Sequence, residues 1–331
     1  MTDQPPRPAL ALTVTFVAQM LIAFVSAAAP VIAPTVAPQL GLHPERVGVF
    51  NALMYLSAMI SGMLLAPWIA WAGPMRFTQI LLLCAAAGAA LATVGTVVGL
   101  LAAALAIGIA IGCTNPAFNA ILGRHVPISS AGLFFSLKQA AGPAGVAAAG
   151  FMLPMWLVWT GWRASLVLIA ISCVIATAAL TPTVSRLEWR SRMKPARLPL
   201  MSALLKVTSE PALRRLGLVS MTYAMAQQGF LAYFILLLVN LGIPLVSAAG
   251  LLASSQLISV VARIAVGHVA DCWMSPRHLL ATYGLVMAIS LFALGSLPPS
   301  PSLLAYFRPS WTAFQADRGR DFSVIVDGIS D

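Results

Sequence analysis

Between residues 9 and 296 the sequence returns nine times to stretches of about twenty residues built almost wholly from Ala, Leu, Val, Ile, Gly and Phe. A helix rises ~1.5 Å per residue, so each stretch is long enough to cross a hydrocarbon core of ~30 Å. Inside lipid only helices and closed barrels satisfy their own backbone hydrogen bonds, and unbroken apolar runs of this length read as helices. With 60% hydrophobic and 8% charged residues, a soluble chain of 331 residues would have too little charge for its surface. The sequence predicts an all-α membrane protein with about nine transmembrane helices. The spans fall near 9–38, 47–70, 77–96, 98–122, 131–156, 164–182, 216–239, 245–270 and 278–296. Pro30, Pro34 and Pro38 recur every fourth residue, which predicts a kinked or irregular outer half of the first span.

The formal net charge of +10 does not point to nucleic acid, because the basic residues sit in the loops. If the N-terminus is cytoplasmic, one side holds twelve Lys/Arg: Arg7, Arg76, Arg124, Arg277 and the eight from Arg186 to Arg215. The other side holds Arg46 and Arg163. Positive charge collects on the cytoplasmic face, so the expected location is the inner membrane, with the N-terminus inside. The expected partners are the lipid bilayer and a small-molecule solute; oligomeric state is not legible. Cys84, Cys113, Cys173 and Cys272 lie far apart, and none has a Cys or His at metal-ligand spacing, so no disulfide, zinc site or cofactor is expected. The first apolar run is long enough to span and lacks an obvious cleavage site, which argues against a removed signal peptide.

Amides and charges inside spans are costly and mark a protein interior or a wet path. Gln19 is in span one, Asn51 and Tyr55 in span two, and Asn115 and Asn119 in span four. Lys138 and Gln139 follow in span five, Gln227 and Gln228 in span seven, and Gln256 and Arg263 in span eight. Spans three, six and nine carry no amide or charge near mid-depth. A bundle in which two helices of each triplet line a central path, with the third outside, gives this period; helix–helix hydrogen bonding without a path is the competing account. Gln19, Asn115, Asn119, Lys138, Gln139, Gln227, Gln228 and Gln256 are the candidate solute-binding residues. Lys138 is either a buried cation for an anionic solute or a lysine snorkelling to the headgroups. The four histidines lie at span ends, where interfacial solvation is expected.

The segment Arg263–Arg277 closes span eight with charge and turns into span nine. Displaced by 201 positions, Arg76 falls on Arg277 and Leu40-Gly41 on Leu241-Gly242, a parallel internal repeat. Gly267, Asp271 and the cation Arg277 resemble the signature loop of the major facilitator superfamily of secondary transporters. Cys272 and Met274 depart from it. In the first copy Gly73 and Arg76 match, while Ala66 and Ala70 replace glycine and aspartate. The span-five run Phe135-Ser-Leu-Lys-Gln-Ala-Ala-Gly142-Pro143 with Gly161-Trp162-Arg163 resembles the cyanate-type bacterial branch.

The resemblance implies a bundle of two pseudo-symmetric halves. Residues 1–182 are the expected six-helix N-terminal half and 183–214 a basic cytoplasmic linker. Residues 215–307 are an incomplete C-terminal half with the start of a tenth span. Residues 308–331, suddenly rich in charge, are expected to be a disordered tail, as in a chain cut short or read out of frame. Arg263, Gly267, Asp271, Arg277, Gly73 and Arg76 are the candidate gating residues, with a direct solute contact by Arg263 the lesser reading. No carboxylate pair, nucleophile triad or phosphate loop is present, which argues against an enzyme or an ATP-driven pump. No Asp or Glu lies deep in a span, which leaves facilitated diffusion, exchange or co-transport with a solute-borne proton. The expected function is alternating-access movement of a small solute, with an anion suggested by Lys138. A non-transporting fragment and a membrane scaffold or solute sensor are the alternatives.

Overall fold

A computed structural model describes residues 7–127, 130–188 and 209–272, and isolated positions between 282 and 292. Its helices are α1 (Pro8–Gln39), α2 (Val47–Leu65), the short α3 (Ile69–Ala72), α4 (Pro74–Ala92), α5 (Val97–His125), α6 (Ala131–Leu187), α7 (Pro211–Asn240) and α8 (Leu245–Cys272). Among the described residues every regular element is helical, and seven segments are long and apolar enough to cross a membrane. The chain is a multi-pass membrane protein. The ninth span (isolated helical positions apart), the start of a tenth, most of the basic linker, Arg277 and the tail 308–331 lie outside the described residues.

The 57 residues of α6 would make a rod of ~85 Å, far longer than a ~30 Å hydrocarbon core. Gly161 breaks it, with φ 76° and ψ 169°, a backbone that L side chains rarely adopt. The chain reverses there. Lys138, early in α6, touches Asn119 of α5, and Leu187, at the far end of α6, lies 3.5 Å from His125, six residues beyond Asn119. A straight helix would hold residues 138 and 187 ~70 Å apart. The two arms, α6a (131–160) and α6b (162–187), are spans five and six as read from the sequence.

The loops sort into two ends. At one, Arg163 Nε donates to the Thr93 carbonyl at 3.2 Å, and its guanidinium stacks 4.4 Å over the Trp162 ring. At the other, the Arg76 amide donates to Glu188 Oε2 at 3.0 Å, and a Cβ on Gly73 would collide with the same carboxylate. A carboxylate at the first turn of α4 meets unpaired amides and the positive end of the helix dipole.

Two expectations are corrected. The first span is not irregular: α1 runs unbroken through Pro30, Pro34 and Pro38. The three rings lie four residues apart on one face, so the amides they remove are confined to one stripe. His125 is not solvated: it is buried at 3% exposure, and its Nε2–H donates to the Leu187 carbonyl. The end of α6b covers it.

Small residues set a close crossing of α2 and α5. Gly108 and Gly112, one turn apart on α5, press against Met54, Ser57, Ala58 and Ser61 of α2. The approach allows bonds between helices: Ser57 Oγ donates to the Leu105 carbonyl at 2.9 Å, and Cys113 Sγ to Ser61 O at 3.4 Å. Small-residue crossings of this kind are how membrane helices gain packing without a hydrophobic drive. On the opposite side, Gln79 Nε2 of α4 donates to the Thr177 carbonyl and Thr181 Oγ1 of α6b, both at 3.1 Å.

Helices α7 and α8 pack on this six-span bundle through the end that carries Leu40 and Gly161. Gly48 faces Tyr233, Tyr55 shares a small cavity with Gln228, and Gly150 packs on Ala249 and Ala253. Toward the other end the side chains described between 209 and 225 are all exposed.

Two outcomes follow from this packing. Gly112→Leu places a side chain into the α2 backbone and is expected to lower the thermal unfolding midpoint in detergent by an amount matching ~1–3 kcal/mol or more. In a chain freed of its native cysteines, an impermeant thiol reagent is expected to label His43→Cys and Arg163→Cys from one face of the membrane. Arg124→Cys and Arg186→Cys are expected to label only from the other.

Candidate functional site

Three helices bring the intramembrane polar residues together. Lys138 of α6a is fully buried, at 0% exposure, which excludes the snorkelling arrangement. Its ammonium donates to Asn115 Oδ1 at 2.6 Å and to Asn119 Oδ1 at 3.3 Å. The two asparagines are one turn apart on α5, so their amides form a two-rung clamp around a single Nζ. Both keep exposed surface, so the ammonium lies just beneath an accessible amide layer. With each carbonyl turned to the lysine, the amide N–H groups point away from it. A fixed cation with flanking amide donors is a ready acceptor for negative charge.

No carboxylate offsets this cation within the spans. Helices α1, α2, α4, α5, α6 and α7 contain no Asp or Glu, and α8 has only Asp271, its penultimate residue. An ammonium taken out of water costs several kcal/mol, and a charged hydrogen bond returns about 1.5–3 kcal/mol. Two neutral amides therefore hold the lysine in place while leaving its charge available.

Gln19 of α1 stands beside this cluster. Its Nε2 lies 3.8 Å from where a Cβ on Gly142 would be, and Gly142 is one turn along α6a from Lys138. The next turn brings Val146, which lines a cavity of about 20 Å³ with Ser26, Pro30, Asn51, Met54, Tyr55, Gln228, Leu231 and Leu252. Here α1, α2 and α6a meet α7 and α8, with Tyr55 and Gln228 side by side across that contact. A larger cavity of about 110 Å³ lies nearer Leu40 and Trp162; its walls are mostly apolar, with His43 and Arg46 among them, and include none of the candidate solute-binding residues. Size alone therefore does not locate the site.

The structure therefore gathers Lys138, Asn115, Asn119 and Gln19, and sets Gln228 at the adjoining cavity. It does not gather the rest. Gln139 is exposed, turned about 100° round α6a from its neighbour Lys138. Gln227 is half-buried on α7, and Gln256 is buried on α8 at 8% exposure. Of the gating candidates, Gly73 and Arg76 meet Glu188 at the end of α6b. Arg263 is half-buried with its Nε enclosed, whereas Gly267 and Asp271 lie in α8 beyond the last side chain described there. Tyr55 and Glu188 were missed as site residues by sequence reasoning. The Asn51/Tyr55 spacing of four on an apolar helix was the available signal for the first. Glu188 is 112 positions from its Arg76 partner, with no local mark.

A family model of the Major Facilitator Superfamily matches residues 15–314. No curated protein matches the sequence significantly. The fold is similar to a bacterial homolog of the human lysosomal transporter Spinster. In its inward-facing, unoccupied conformation the TM-score is 0.66 at 17% identity, covering 91% of this chain and 70% of that one. In the inward-facing, occupied conformation the TM-score is 0.63 at 16% identity, with the same coverage. A D-xylose–proton symporter gives a TM-score of 0.63 at 16% identity, covering 92% of this chain and 81% of that one. At these identities the likeness is one of fold, and it joins the family match in one assignment: the chain belongs to the major facilitator superfamily and is a membrane transporter.

Proposed function

We propose that this transporter carries a small anion by alternating access, with Lys138 as the group that attracts it. The observation that supports this is a fully buried ammonium held by two neutral amides, in spans without carboxylates up to the end of α8. In a low-dielectric interior such a cation attracts an anion far more strongly than it would in water. Asn115 and Asn119 orient the ammonium and offer their amide N–H groups to the same ligand. The path continues past Gln19 toward Tyr55 and Gln228, where the six-span half and the following helices touch.

In this reading residues 1–182 form one rocking half, 183–214 a linker, and the segment from 215 to 307 belongs to the second half. The end bearing Arg76, Arg124 and Arg186 is cytoplasmic in an inner membrane, in keeping with its basic charge. The packing of α7 and α8 on the six-span half toward the Leu40 end, with the side chains described between 209 and 225 exposed, is in keeping with a carrier facing inward. The Gly73–Arg76 turn with Glu188, and the Arg263–Arg277 segment, act as cytoplasmic latches that hold one of two packings. The cyanate-type branch remains a suggestion resting on the span-five glycines and proline.

The test is Lys138→Gln in proteoliposomes, read as uptake and counterflow of a panel of radiolabelled small mono- and dicarboxylates and inorganic anions. Losing a charged hydrogen bond worth about 1.5–3 kcal/mol is expected to weaken apparent affinity for the transported anion about 10- to 100-fold. Wild-type transport of an anion that the variant carries equally well would refute the assignment.

A further inference from the structure

Next to the lysine, the site displays an acceptor of a different kind. Gln19 Oε1 is enclosed in protein and has no hydrogen-bond partner among the described residues, and the same holds for Asn51 Oδ1. Buried carbonyl oxygens rarely go unpaired, and leaving one so costs about 1–3 kcal/mol. Gln19 is on the same side of α6a as the cation's residue: its amide stands over Gly142, and positions 138 and 142 are one turn, ~6 Å, apart along the helix axis. Asn51 lies further along the same track, in the cavity that Val146 lines two turns from Lys138. At about 20 Å³ that cavity holds one water or one hydroxyl group. Charge at one end and a bare acceptor about one turn away define a ligand with two unlike groups.

The anionic group follows from the reading above, on which this inference rests; the second group follows from Gln19. It must donate a hydrogen bond, because a carbonyl oxygen only accepts. It must also be neutral: an ammonium would sit beside Lys138, with no carboxylate in the surrounding helices to offset two cations. We propose that the transported solute is a small hydroxycarboxylate, its carboxylate on Lys138 and the Asn115 and Asn119 amides, its hydroxyl donating to Gln19 Oε1. Asn51 Oδ1 accepts the same hydroxyl as the solute moves toward the Tyr55–Gln228 contact. A site that hydrogen-bonds a hydroxyl rejects the analogue lacking it more sharply than an apolar pocket rejects a missing methylene. Selectivity then resides in α1, and charge attraction in α6a.

The experiment is binding to the full purified chain in lipid nanodiscs, by calorimetric titration with 2-hydroxypropanoate, propanoate and 2-aminopropanoate. The hydroxy acid is expected to bind about tenfold or more tightly than propanoate, one hydrogen bond's worth. The amino acid is expected to bind more weakly than the hydroxy acid. Gln19→Leu, with Gln19→Met as a near-isosteric second variant, is expected to abolish the preference for the hydroxy acid over propanoate, the two being compared within the same variant. Lys138→Gln is expected to weaken both. If wild type binds hydroxy acid and propanoate equally and both are weakened in Lys138→Gln, the hydroxyl assignment is wrong and the anion reading stands. Undiminished discrimination in both Gln19 variants overturns the assignment as well. If neither acid is weakened by Lys138→Gln, the anion reading itself has failed.

Discussion

A charged amine removed from water and held by neutral amides alone is the arrangement around which the rest of this bundle is ordered. Holding it requires two acceptors on one helix at matching height, which α5 supplies through Asn115 and Asn119. It also requires α5 and α6a to stay at fixed distance and rotation. That rigidity comes from elsewhere: the Gly108 and Gly112 crossing seats α5 on α2, and Gly145 of α6a presses on the Met20 backbone of α1. The order of causes therefore runs from small residues, to close helices, to an ammonium with nowhere else to point. In the proposed function, the same lack of a compensating carboxylate that makes the lysine costly makes it useful.

The two cavities divide the molecule by chemistry more than by size. The larger is walled by Val25, Ile32, Phe50, Ile107 and Leu166, and offers a solute little to bind. The smaller is bordered by Ser26, Asn51, Tyr55 and Gln228 and lies on the line of α6a residues that begins at Lys138. It is also where α7 and α8 are anchored to the first six spans, so any rearrangement of that contact alters the same groups. In the proposed function, chemistry and conformational change meet at Tyr55 and Gln228.

The fold was legible because membrane insertion writes it in composition: runs of apolar residues give the spans, and Lys/Arg asymmetry sorts the loops. Lys138, Asn115, Asn119 and Gln19 were legible for the same reason, since an amide or charge amid alanine and leucine has few neutral explanations. What could not be read was direction. Gln139 is as polar as its neighbour, yet one residue is ~100° of rotation, and nothing local says which of the pair faces inward. His125 looked interfacial because it ends a span, but a covering helix from 62 positions further on buries it. The three prolines of α1 promised irregularity, whereas their spacing confines the missing amides to one stripe and the helix persists. Long-range partners such as Glu188 for Arg76 leave no trace at either position.

The reversal at Gly161 has a mechanical corollary. With a single residue between α6a and α6b there is no slack: neither arm can slide or tilt without pulling the other at once. The cation on the first arm is thereby geared to α4, through Gln79 on Thr177 and Thr181, and to the Arg76 turn, through the carboxylate that follows the second arm. In the proposed function, a displacement of the lysine would reach the loop near the far surface through two stiff levers joined at one pin.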